Sequence, residues 1–323
     1  MSGRAALPRA LLVVAAAVVV FTVPSWADDY WTRIFTGVCM WAGLALAWNI
    51  VGGYAGYISF GHAAFFGVGA YTTALLMAER QWNFFLTLPV GAALAGALAL
   101  VVGWPTLKLR GAYFAIATWA LAEAILQLAN VSGFTGGSSG VAIPAFASGT
   151  DIYYVMLAAA LVAYAVSYLL LERSRFGYKV KAVRDNEAAA RSVGIDTTQV
   201  KIQAFVLSAV IPAVFGGINA YWITFINPPS VFGAAITDQM VVMALVGGLG
   251  HAWGPALGAA ALFMVNRQFV AEFGDTTSYI AMVGVLVALV VLFLPDGLVS
   301  LWPRARRMAL VRRLLRPNQK ARR

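Results

Sequence analysis

Successive apolar runs, each close to the length of a bilayer crossing, account for nearly all of the 323 residues, and one long hydrophilic island at 172–201 divides them. The hydrocarbon core of a bilayer is ~30 Å thick and takes roughly 20 helical residues. It offers no water to unpaired backbone groups, so each crossing segment must pair its own, which a run of this length does as a helix. The candidate spans are about 10–26, 35–51, 62–78, 86–104, 112–129, 152–171, 203–223, 237–250, 256–272 and 279–295. The sequence thus predicts a single all-α integral membrane domain over 1–323, with about ten transmembrane helices and some of them broken. Only 11% of the residues are charged, against about a quarter in soluble domains.

Charge sets the sidedness. If every run crosses, Lys108, Arg110, the island and the C-terminal tail fall on one side. The other side receives Asp28, Asp29, Glu272, Asp275 and the segment 130–151, which has no Lys or Arg; only Arg33, Arg80 and Arg267 lie towards it. Positive charge marks the cytoplasmic side, so both termini and the island are expected there. The tail at 304–323 has nine basic and no acidic residues and follows the last span, which suits an anchor on anionic lipid rather than nucleic-acid binding. Ser25-Trp26-Ala27 has the form of a leader cleavage site, yet an uncleaved first span fits a many-span chain better. The one cysteine, Cys39, sits in an apolar run, so no intrachain disulfide is available.

Within the island, residues 185–194 have the grammar of a short helix. Asp185 or Asn186 can cap the first free amides, and Glu187 lies where the helix dipole favours an anion. Glu187 and Arg191 are four apart in the favourable order. Gly194 stands where a left-handed closing residue is wanted. Ala188 and Ala189 complete the turn. Two turns do not hold in water alone, so the segment needs a partner surface. The island reads as a cytoplasmic docking helix rather than a plain charged loop.

Two stretches are too rich in glycine for unbroken helix: Val51-Gly52-Gly53-Tyr54-Ala55-Gly56 through Ser59 to His62, and Val246-Gly247-Gly248-Leu249-Gly250-His251 through Pro255. Both begin Val-Gly-Gly and both contain Gly-His. Paired interruptions in a transporter point to its pathway; small residues also let helices pack closely. Asn49, Gly52, Gly53, Ser59, His62, Gly247, Gly248 and His251 are therefore pathway candidates. Glu123 and Gln127 share one face of the fifth span. Glu123 either meets the ammonium group of a substrate in a wet path or bonds to a neighbouring helix.

The chain has no Gly-x-x-x-x-Gly-Lys-Ser/Thr loop, no Gly-x-Ser-x-Gly elbow and, with two histidines and one cysteine, no metal-ligand spacing. No catalytic residue, metal or bound cofactor is expected. Nor is there a run of span-centre carboxylates like the proton relays of ion-driven pumps.

From about Ala47 onward the sequence resembles the LivM-type permeases of bacterial ATP-binding-cassette importers for branched-chain amino acids. The resemblance rests on 48–71, on 109–118, on Thr135-Gly136-Gly137, on Arg184-Asp185-Asn186-Glu187-Ala188-Ala189-Ala190, on Gly247-Gly248-Leu249-Gly250 and on Leu294-Pro295-Asp296-Gly297-Leu298. It implies a second, LivH-like permease, two ATPase subunits that hydrolyse ATP, and a periplasmic binding protein. It also implies an inner-membrane location, with the island as the coupling loop. Gly194 follows Glu187-Ala188-Ala189 one residue later than the commoner spacing of such loops. Permeases for urea, short amides or other amino acids resemble this chain too, and a lone ion-driven carrier is a further alternative.

Overall fold

Asp28 starts the architecture. Its carboxylate accepts from the Trp31 amide at 3.0 Å and caps helix α1, Asp29–Asn49, which with its extension to Tyr54 is the most buried of the six candidate spans among the described residues. This computed structural model describes residues 20–144 and 148–274, with 284–285, 288, 292–293 and 297–300 beyond them. The first candidate span is thus described from residue 20. The last span, apart from a few of its residues, and the basic tail lie outside the described residues.

After α1 come α2, His62–Arg80; α3, Phe84–Thr106; α4, Ala112–Val131; and α5, Gly149–Ser167. The island forms α6, Arg175–Asp185, and α7, Glu187–Ser192. Then follow α8, Thr197–Ile223; α9, Pro228–Phe232; α10, Ala234–Gly247; and α11, Gly254–Phe273. π-helical turns extend α1 through Ile50–Tyr54 and α5 through Tyr168–Glu172. Asn83, Ser148, Ser174, Asn186 and Asp196 cap α3 and α5 to α8 with side-chain oxygens, as their residue types favour.

Among the described residues six segments are long and apolar enough to cross a membrane: 29–54, 84–106, 112–131, 149–172, 197–223 and 228–247. Helices α2 and α11, of 19 and 20 residues, are of similar length but more polar. The chain is a multi-pass, all-helical membrane protein. Its only strands among the described residues are Val141–Ala142 (β1) and Phe225–Ile226 (β2), an antiparallel pair joining the α4–α5 and α8–α9 connections.

Two crossings are broken. Helix α10 has 14 residues, about 21 Å at the helical rise, and the five-residue α9 completes its crossing above Gly233. The chain between α1 and α2 leaves the helix at Ala55 and runs without helix to Gly61. Inside the bundle, α2 and α8 pack face to face through small residues: a Cβ on Gly69 would strike the Ala213 carbonyl, and one on Gly216 the Phe66 carbonyl. Such contacts need glycine because the backbones themselves touch. Pro212 lies in this part of α8 and has no N–H for the Ser208 carbonyl four residues back.

A Gly216→Val substitution should therefore lower the thermal midpoint of the detergent-purified protein, by overpacking worth about 1–3 kcal/mol or more. Gly149→Ala, at a position open to space, should leave it unchanged.

Candidate functional site

Residues 185–194 of the island fold as their local sequence predicts, while the preceding α6 is not marked by it. Asn186 Oδ1 accepts from the Ala189 amide at 3.0 Å, Arg191 pairs with Glu187 at 3.1 Å, and Gly194 closes the helix at φ +85°. Asp185, Asn186, Ala188, Ala189 and Arg191 lie exposed beside Tyr178 and Val193, themselves 67% and 76% exposed. Together α6 and α7 make a platform with apolar side chains turned outward.

Glu187 fastens this platform to the bundle. Its carboxylate accepts from Lys201 of α8 at 2.9 Å, from Thr197 at 3.2 Å and from Arg110 of the α3–α4 connection at 3.3 Å. The Tyr57 hydroxyl reaches it at 3.5 Å. Lys201 is almost buried and also donates to the Leu107 carbonyl at 3.2 Å. Burial alone would raise the Glu187 carboxyl, but the Lys201 hydrogen bond and charge, helped by Thr197 and Arg110, hold it below the usual carboxylate range. The Lys201 pair carries most of the energy, because Arg110 and Arg191 are solvent-exposed and exposed pairs contribute little.

A second set of contacts ties the platform to the glycine-rich breaks. Arg184 donates to the Gly53 carbonyl at 3.0 Å. Glu172, at the end of the α5 extension, accepts from the Tyr54 hydroxyl at 3.0 Å and the Ala252 amide at 2.8 Å. The two breaks meet each other. Asn49 accepts from the Gly250 amide at 2.9 Å and donates to the His251 carbonyl at 3.0 Å. A Cβ on Gly53 would lie 2.6 Å from the Gly250 nitrogen. The breaks are thus adjacent and lie beside the island, where Gly56, Tyr57, Arg184 and Glu187 line a cavity of about 360 Å³.

The remaining candidates divide. Gly52 is packed on the Trp48 ring and Gly247 on the Gly254 carbonyl, while Gly248 takes φ +114°. Ser59 is buried, its carbonyl accepting from Trp48 Nε1 at 2.7 Å. His62 is fully enclosed, edge-on to Phe65 and Phe205, with Nε2 3.2 Å from Ser208 Oγ. His251 is exposed. Glu123 and Gln127 are far from the platform contacts and bond to each other at 2.7 Å along α4.

Sequence reasoning passes over Lys201, Glu172 and Asp238. Lys201 and Glu172 look like ordinary charges at the rims of spans. Asp238 stands at the edge of the apolar run 237–250, although α9 and Gly233 carry the crossing further and set it inside. Among the described residues no group of three metal-binding side chains occurs.

Residues 30–294 match the family model described as the permease component of branched-chain amino acid transport systems. The chain is 29% identical over 289 residues to the LivM permease protein of a high-affinity branched-chain amino acid transport system in Salmonella typhimurium, covering 80% of this chain and 67% of that protein. It is 25% identical to the LivH permease protein of Escherichia coli, over 83% of this chain and 94% of that one. A probable LivM permease of Methanocaldococcus jannaschii is 25% identical over 81% of this chain and 92% of its own length.

Glu187→Gln should loosen the platform at neutral pH, because it leaves the Lys201 charge buried and poorly compensated at a cost on the order of 3 kcal/mol. A spin label at Val193 should show the gain in mobility. In the unmodified protein the depressed carboxyl supplies stabilisation that is complete above the ordinary carboxylate range and lost as pH falls through its lowered value. The same label should therefore stay immobile down to that range and loosen only in stronger acid.

Proposed function

The chain belongs to the family of permease components of branched-chain amino acid transport systems, and on that premise we propose that it forms half of the translocation path of an ATP-driven importer for leucine, isoleucine and valine. The observation that carries the reading is the exposed α6–α7 platform and its wiring. The short α7 is bound by a nearly buried ion pair to α8, Arg184 of α6 binds the first glycine break, and the pair of helices leaves Tyr178 and Val193 exposed. Such a device suits a partner that pushes or pulls. The sequence offers no phosphate-binding loop of its own, so ATP is hydrolysed by two separate ATPase subunits.

In this scheme closure of the ATPases on ATP moves α7, and the Glu187–Lys201 pair passes the displacement to α8. The Gly53 and Gly250 backbones, where no side chain resists rotation, absorb the change in direction between packed helices. The path then alternates between outward and inward access by rocking of rigid elements. A second, LivH-like permease supplies the other half of the wall, and a periplasmic binding protein delivers the amino acid. The chain lies in the bacterial inner membrane with the platform and both termini in the cytoplasm. The same machine acting on urea, short amides or other amino acids is the alternative.

Two measurements test this. Gly194→Val forces a branched residue into a left-handed backbone at roughly 1–2 kcal/mol. In the reconstituted importer it should lower uptake while membrane insertion and ATP hydrolysis persist, and unaltered coupling would count against the docking role. Single cysteines at Ser138 and Val193, both exposed, should react with impermeant reagents from opposite faces of the membrane. Labelling from one face would break the topology.

A further inference from the structure

Asp238 is an acidic side chain within a candidate crossing that the scheme above does not use. It is exposed on the surface of the chain and, among the described residues, forms no hydrogen bond or ion pair. Its depth follows from its neighbours. Thr237 accepts from the Ala63 amide at 2.8 Å, and the adjoining His62 reaches Ser208 at 3.2 Å. Ser208 is the twelfth residue of the 27-residue α8, about 16 Å along the helix from its inner end. Asp238 therefore sits near mid-membrane, where two discontinuous helices, α2 and α10, begin side by side.

An unpaired carboxylate at that depth does not face lipid; it faces a wet path or a countercharge. Its surroundings define the path's chemistry. Asp238 borders a cavity of about 280 Å³ whose other walls are Phe60, Ala115, Ile116 and Trp119. Ile116 and Trp119 belong to an α4 face that is uncovered on this chain, at 62% and 50% exposure. One carboxylate among aromatic and aliphatic walls is complementary to a solute with an ammonium group and an apolar body, and the Trp119 ring adds attraction for the cation. Glu123, one turn further along α4, is already engaged by Gln127.

We propose that Asp238 is the mid-membrane station that holds the ammonium group of the amino acid in transit, with Trp119, Ile116 and Phe60 enclosing its side chain. The proposal rests on the importer reading and narrows it, because urea and short amides carry no cation for the carboxylate to hold.

The test uses the complete importer in proteoliposomes, with leucine, ATP and the binding protein. Asp238→Asn keeps the shape and removes the charge. Leucine uptake should fall about 10–100-fold, the equivalent of one charge-assisted contact, while ATP hydrolysis stimulated by the binding protein continues. Asp238→Glu should recover a large part of the uptake. In a Cys39→Ser background, a cysteine replacing Asp238 should react with a water-soluble methanethiosulfonate, and saturating leucine with its binding protein should slow the reaction. That accessibility separates a path-lining residue from one sealed against the second permease. A cysteine unreactive from both sides, or Asp238→Asn transporting like the unmodified protein, overturns this proposal alone. An unmodified assembly that moves no branched-chain amino acid overturns the importer reading and the proposal together.

Discussion

A backbone that leaves its helix inside a membrane loses the partners water would have offered, and each unpaired group there costs several kcal/mol. Both breaks in this chain are built around that constraint. Between α1 and α2, the Gly53, Ser59 and Phe60 backbone groups are taken up by Arg184, Trp48 and Thr118. Between α10 and α11, the Gly250, His251 and Ala252 groups are taken up by Asn49 and Glu172. Asn49, at the start of the first break, is the link between them, so a shift of either break leaves the Asn49 amide or the Gly250 and His251 backbone groups without their partners. That mutual dependence favours two discrete arrangements over a continuum of intermediate ones.

The same contacts explain why charge is concentrated where it is. Glu187 and Lys201 join α7 to α8, Arg184 joins α6 to the first break, and Glu172 joins the two breaks; Glu187 and Lys201 are nearly shielded from solvent. A shielded, hydrogen-bonded ion pair resists separation far more than an exposed one. The exposed platform can therefore bear load on α8 and on the first break without peeling away.

Much of the fold is legible in the sequence because the relevant forces are local or summed over long windows. Apolar run length marks α1 to α5, α8, α10 and α11, and the caps of α7 follow from Asn186, Glu187 and Gly194. The echo between the two Val-Gly-Gly stretches marks segments that do meet. Their meeting through Asn49 is a contact across about 200 residues, which no local rule reaches. Lys201 is equally opaque: a lysine at the first turns of a long helix looks like a solvated rim charge until Leu107 and Glu187 close over it. Asp238 is misplaced by hydropathy alone, since Asn227 and the two prolines after it disguise α9 as a loop when it is the upper portion of a crossing.

The small β1–β2 ribbon carries one more implication. It fastens the loop leaving α4 to the loop leaving α8, with the Ile143 amide adding a bond to the Thr224 carbonyl at 2.7 Å. Because α8 also holds Lys201 near its opposite end, a single helix joins the Glu187 contacts to the ribbon. A displacement imposed at the ribbon and one imposed at Glu187 thus reach the same helix from its two ends.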